Sequence, residues 1–233
     1  MNTLVAILRK IRASIMKTVK PKNGYLLFKP AKSLEPISGV FGFDRGKPLD
    51  RYYIESFLEE HKSEIKGRCL EVHDDAYCKQ FGGSKVTKAD IVDIDEDNKL
   101  ANIYADLSKA DHIPSDTYDT LVITHTLGLI PEQEKAVEHL YRILKPGGKL
   151  ILTVSAMGPY LVNGSGFWRY TEKSVPYLLG KFFKPSKTTV KVYGNVLSGQ
   201  AFWVGLSADE LTKKELDHYD PRFPMVIASI SQK

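Results

Sequence analysis

Two acids and two histidines stand out for their chemistry: Asp93, Asp106, His73 and His125. Asp93 follows Glu71 by about 20 residues, the interval at which an acid at the tip of a second strand accepts hydrogen bonds from ribose hydroxyls. Asp106 closes a third apolar run, where a carboxylate can accept from an exocyclic amine on a base. Together they could grip the two ends of an adenosine. His125 follows a β-branched run in Ile123-Thr124-His125-Thr126, and an imidazole there can act as a base near neutral pH. His73, directly after Val72, is a second candidate base. Arg45 and Arg169 could hold an anionic or polyhydroxyl acceptor, Asp44 could serve as a further carboxylate base, and Trp168 and Tyr170 could stack on a sugar face. Each also has a plain structural reading, as solvated charge or as core.

These residues need a scaffold that brings strand ends together. Apolar runs at Arg68–Val72, Asp90–Ile94, Ala101–Ala105, Tyr118–Thr124 and Lys149–Ser155 predict five strands. Glu132–Leu144 has helical periodicity, and Pro146-Gly147-Gly148 reads as a turn after it. Strands separated by helical stretches imply parallel βαβ units. Thr188–Tyr193 and Met225–Ser231 read as two further strands, with a helix at Ala208–Leu216 between them. In an open parallel sheet, ligands sit outside the carboxyl ends of the strands, near the point where strand order reverses. Asp93, Asp106, His73 and His125 all fall at such ends. The expected fold is a doubly wound α/β domain over 49–233, preceded by a basic helix and an irregular, proline-rich approach segment over 1–48.

The stretch from Arg68 to Ser155 resembles class I S-adenosylmethionine (SAM)-dependent methyltransferases. Glu71 stands at the acid of that family's first motif, Asp93 at its ribose acid and Asp106-Leu107 at its adenine-side pair. Leu140-Tyr141-Arg142-Ile143-Leu144-Lys145-Pro146-Gly147-Gly148 is the most specific match. The resemblance implies a seven-stranded, mostly parallel sheet with an antiparallel last strand. It implies SAM as cofactor, held by Glu71, Val72, His73, Tyr77, Asp93, Ile94, Asp106, Leu107 and Thr124. Pro36–Tyr53, Trp168-Arg169-Tyr170-Thr171 and Tyr193-Gly194-Asn195-Val196 resemble bacterial methyltransferases tied to cell-surface glycan systems, which points to O-methylation of a sugar or glycan-linked acceptor.

One departure from the family is plain. The glycines that normally follow the first acid are replaced by His73-Asp74-Asp75, and the next glycines are Gly82 and Gly83. A non-glycine residue in the left-handed region costs about 1–2 kcal/mol, and the His73 side chain could fill space meant for the methionine part of SAM. Either the loop takes another path, with Tyr77 or Gly82 completing the pocket, or the domain has lost SAM and works as a partner-binding subunit.

Charge and cysteine usage bound the remaining classes. Eight of the 33 Lys and Arg, and none of the 28 acids, lie before residue 33, so the rest of the chain is slightly acidic. That argues against a nucleic-acid groove through the fold. Leu4, Ile7, Leu8, Ile11, Ile15 and Val19 form an apolar stripe flanked by Arg9, Arg12, Lys17 and Lys20. Such a helix over residues 4–20 can lie on an anionic membrane surface, or pack on its own domain or a partner subunit; an organellar targeting helix would look similar. No apolar run reaches the roughly 18 residues of a membrane span. Cys69 and Cys78 make neither a disulfide framework nor a metal motif, so the expected compartment is the cytoplasm, with peripheral contact at the inner face of a membrane. No zinc cluster, phosphate-binding loop, nucleophile elbow or nicotinamide fingerprint is present.

Overall fold

The computed structural model describes residues 33–159 and 166–233, so the stripe over residues 4–20 lies outside the described residues. The described residues up to Tyr53 group with Gly194–Met225 in a smaller unit, and Ile54–Tyr193 groups with Val226–Lys233 in a larger one. The sequence places a boundary at residue 48. In the structure the helix that begins at Leu49 runs through the division, and a late segment joins the smaller unit.

The larger unit holds one seven-stranded sheet. Its strands are β1 (Gly67–Val72), β2 (Val86–Asp93), β3 (Ile103–Tyr104), β4 (Tyr118–Thr124), β5 (Leu144–Ser155), β6 (Thr188–Tyr193) and β7 (Val226–Gln232), in the order β3-β2-β1-β4-β5-β7-β6. β1 to β5 run parallel to one another, and β7 runs antiparallel between β5 and β6. Helix α1 (Leu49–Glu60) precedes the sheet, α2 (Gln133–Ile143) crosses from β4 to β5, and α3 (Ser174–Leu179) precedes β6. Leu70, Leu121, Ile123, Leu150, Leu152 and Ile227 are buried strand residues that meet Val137, Leu140 and Ile143 of α2 and Leu178 and Leu179 of α3. This accounts for the near-continuous apolar runs of β4 and β5: both faces of a central parallel strand are covered.

Several boundaries differ from expectation. β2 begins at Val86, four residues before the predicted start; Thr87 and Lys88 are both exposed, so its opening residues carry no apolar run. β3 shrinks to Ile103–Tyr104, a short edge strand. β5 begins at Leu144, so the predicted turn lies inside it, and a register shift between Tyr118 and Thr120 absorbs Pro146-Gly147-Gly148. The crossover from β1 to β2 is short: a π turn at Cys78–Gly82 followed by a 3-10 turn at Gly83–Lys85. Helices α3 and α4 (Val196–Trp203) were not foreseen.

In the smaller unit, the predicted helix Ala208–Leu216 is two short pieces: a 3-10 turn at Ala208–Glu210, then α5 (Lys213–Asp217). Each has its own capping box, Ser207 with Glu210 and Thr212 with Glu215. Two consecutive start signals break what periodicity joins. Asn195 caps α4 in the same reciprocal way with Ser198.

Candidate active site

β1 and β4 are neighbours in the sheet, yet the chain winds outward from β1 to β3 before returning to β4. The crevice outside their carboxyl ends is therefore the topological switch point. A histidine follows each strand there, and both are left-handed: His73 has φ 74° and His125 has φ 50°. Only two other non-glycine residues among those described have positive φ, Phe41 and Asp116. Sparsely populated backbone held in place by its surroundings concentrates at functional sites.

Glu71 sets the path of the loop after β1. It is 2% exposed, and its carboxylate accepts the backbone N–H of Tyr77 at 3.1 Å and of Cys78 at 2.8 Å. Burial pushes its carboxyl up to about 7, against the opposing pull of those amides. Tyr77 is itself buried and packs near Phe81, with ring centroids 6.0 Å apart. Gly82 is packed against Ile65 and Val86, where an added Cβ would stand 2.4 Å from a Val86 methyl. Its smallness serves the turn into β2.

Asp93 ends β2 beside this loop. One oxygen accepts the amide of Asp95 at 3.0 Å; the other accepts Asn98 Nδ2 at 2.7 Å and His73 Nδ1 at 3.1 Å. Burial works to raise the Asp93 carboxyl, but these three donors outweigh it and leave it below the usual carboxylate range. An ionised carboxylate only accepts, so the His73 proton sits on Nδ1. Asn98 also donates to the His73 carbonyl at 2.7 Å. Sequence reasoning missed Asn98. The run Asp95-Glu96-Asp97-Asn98 signals a turn, but nothing in it shows which acid its amide reaches. Ile94, next in the chain, is 71% exposed.

Asp106 lies two residues beyond β3, whose pairing with β2 continues through Ala105 N–H to Asp93 O at 2.9 Å. Its carboxylate accepts the amide and hydroxyl of Ser108 at 2.9 and 2.7 Å. Burial again raises the group and these bonds, with Lys109, lower it further. Leu107 is buried behind it. Two ionised carboxylates thus stand at adjacent strand ends, with an exposed aliphatic side chain after the first.

On the other side of the crevice, Thr124 pairs with Thr153 of β5, and the His125 amide donates to the Thr153 carbonyl at 2.8 Å. The turn Leu127–Leu129 follows. The Gly128 carbonyl accepts the amides of Phe167 and Trp168 at 2.9 and 3.1 Å, and Trp168 Nε1 donates to Ile130 O at 3.0 Å. Gly128 has no room for a side chain: a Cβ would lie 3.0 Å from the Trp168 carbonyl oxygen. Phe167 and Trp168 stay partly open to solvent beside Leu129. Phe167, unremarked in the sequence reading, is the more exposed of the two. Tyr170 is core, its hydroxyl donating to Gln133 Oε1 at 2.8 Å.

The basic acceptor candidates are engaged otherwise. Arg169 donates to the Trp168, Gly158 and Pro159 carbonyls and so braces its own loop. Arg45, in the smaller unit, forms a two-pronged ion pair with Glu210. Asp44, in the same unit, accepts the Ser38 hydroxyl at 2.5 Å. Among the described residues no His, Cys, Asp and Glu group could hold a metal ion, and no helix is long and apolar enough to cross a membrane.

The sequence model of the methyltransferase-domain family matches residues 72–152, from the end of β1 into β5. Over these residues the chain is similar to that family. The match covers the loop after β1, Asp93, Asp106, His125 and the Lys145-Pro146-Gly147-Gly148 stretch. A ubiquinone/menaquinone biosynthesis C-methyltransferase, UbiE, of Haemophilus ducreyi is 36% identical over 55 residues, which are 23% of this chain and 21% of that protein. The matched part is thus about a fifth of that relative's length. Among solved structures, a SAM-dependent methyltransferase from Archaeoglobus fulgidus aligns with a TM-score of 0.54 at 12% identity, covering 78% of this chain and 94% of that one. The [4+2]-cyclase SpnF aligns with a TM-score of 0.52 at 14% identity, covering 81% and 84%. At such identities the likeness speaks for the fold, and the chemistry must be argued from the site.

Proposed function

We propose that this chain transfers the methyl group of SAM to a hydroxyl acceptor, with a sugar or glycan-linked molecule the favoured class. The observation that carries the reading is that two ionised acids, Asp93 and Asp106, and a left-handed histidine after β4 all follow the carboxyl ends of strands in one parallel sheet. The residues fit the cofactor. Asp93 would take the ribose hydroxyls, Asp106 the exocyclic amine of adenine, and Ile94 and Leu107 the base. Val72, His73, Tyr77 and Thr124 would line the remainder, with Glu71 holding the loop from behind.

Bound SAM supplies an electrophilic methyl on a sulfonium. The protein's share is alignment and exclusion of water, which can contribute several kcal/mol. His125 would accept the proton of the acceptor hydroxyl as the new bond forms. Phe167 and Trp168, fixed to the turn after His125, offer aromatic surface on which an acceptor ring could rest. The acceptor class follows from the resemblance to glycan-linked methyltransferases, whereas the UbiE relative is by its name a C-methyltransferase. Methyl transfer to carbon in a polarised ring would still need a base at His125, so a screen must include both acceptor types.

Replacing His125 with Ala tests the base. Turnover with the best acceptor should fall at least a hundredfold, while affinity for S-adenosylhomocysteine stays within twofold. Unchanged turnover would remove His125 from the chemistry, and a large loss of affinity would make it a cofactor contact.

A second reading has its own observation. Asp93 already holds three donors, His73 among them. A domain whose ribose acid stays so engaged would bind no cofactor and would act through a protein partner. Failure to bind SAM at millimolar concentration would select this reading.

A further inference from the structure

We propose that His73 is a built-in competitor for the cofactor's ribose: its contact with Asp93 occupies the acceptor that the ribose diol needs, and the ligand enters by displacing the imidazole. The proposal rests on the reading that SAM binds at these strand ends.

The three donors on Asp93 differ in how readily they leave. The Asp95 amide is backbone. The Asn98 Nδ2 donates twice, to Asp93 at 2.7 Å and to the His73 carbonyl at 2.7 Å. The His73 imidazole, with a side chain 75% exposed against 11% for Asp93, is the only one of the three on a side chain that can swing into solvent at the cost of one 3.1 Å contact. Its backbone is fixed independently, by its own N–H to Val92 O at 3.0 Å and by Asn98 on its carbonyl. The ring can therefore leave while the loop stays. Residue 73 also sits at φ 74°, which glycine adopts without strain. A glycine there would leave the outer side of Asp93 open; histidine fills it. The sequence suggested a block at the methionine end of SAM, whereas the geometry moves the competition to the ribose.

A hydrogen bond to a charged group is worth roughly a factor of ten or more in an equilibrium. His73 thus holds cofactor affinity down by about that factor, so that occupancy follows cofactor concentration and the demethylated product leaves readily.

The test is calorimetric titration of the full chain and of His73→Gly with S-adenosylhomocysteine and with 5′-methylthioadenosine, which shares the ribose and base but lacks the amino-acid end. The expected result is about tenfold tighter binding of both ligands by His73→Gly. Unchanged or weaker binding overturns the proposal, as does a gain confined to S-adenosylhomocysteine, which would place the block at the amino-acid end. On the wild-type chain, nitrogen-detected NMR of the His73 ring should show loss of the Nδ1–H bond on saturation with S-adenosylhomocysteine; a ring that keeps it overturns the proposal without recourse to a variant. If the wild type binds and Asp93→Ala does not, while His73→Gly changes nothing, the proposed function stands and this inference alone falls. If neither wild type nor His73→Gly binds either ligand, both fall.

Discussion

Glu71 shows how one side chain can be both structural and titratable. Its two amide partners favour the ionised form, yet burial outweighs them and lifts the group from 4.5 to about 7. A folded-state value above the unfolded one means that the folded chain binds the proton more tightly. The stabilising contribution is complete below about 4.5 and is lost as pH rises through about 7. Carbon-13 NMR of the glutamate carboxyls should find one group titrating near 7, and Glu71→Gln should flatten the pH dependence of the melting temperature between pH 5 and 7.5. A Glu71 midpoint below 5 would contradict this reading. Asp93 and Asp106 go the other way, because their donors overcome burial and keep them ionised at neutral pH. Three acids on or after neighbouring strands thus have different tasks, set by burial and by what donates to them.

At the level of elements, the parallel strands were legible because central strands buried on both faces are continuous apolar runs, as Leu121–Ile123 and Leu150–Leu152 are. Edges and short helices were not. β3 makes only two residue pairs, α3 is six residues long, and β2 opens on exposed polar residues, so none carries a periodic signal long enough to read. In the site, the acids were legible by their spacing from β1, whereas Asn98 was not, because its partners are fixed by the path of a loop. The sequence offers Arg45 as an acceptor contact but does not show its pairing with Glu210, 165 residues away. That pair joins two segments of the smaller unit, with side chains only 9% and 11% exposed, and Glu210 also completes the Ser207 capping box. Glu210→Ala should therefore destabilise the chain by about 3 kcal/mol, read as a lower denaturation midpoint. A loss below about 0.5 kcal/mol would show that the pair contributes little.

For the whole molecule, the strand order β3-β2-β1-β4-β5-β7-β6 does most to place function, because it puts the ends of β1 and β4 side by side. One fold can host many chemistries, so the strand-end residues carry the case for methyl transfer. The basic stripe over residues 4–20 adds a proposal of its own, peripheral binding to an anionic membrane. Removing residues 1–20 should abolish sedimentation with vesicles containing phosphatidylserine, and unchanged sedimentation would assign the stripe to another partner. The central claim, that the switch point is a cofactor site, is tested most directly by calorimetric titration of the full chain and Asp93→Ala with SAM and S-adenosylhomocysteine. Micromolar to submillimolar binding by the wild type, weakened at least tenfold in Asp93→Ala, is the expected result. No binding up to millimolar ligand, or equal binding by both proteins, would contradict it.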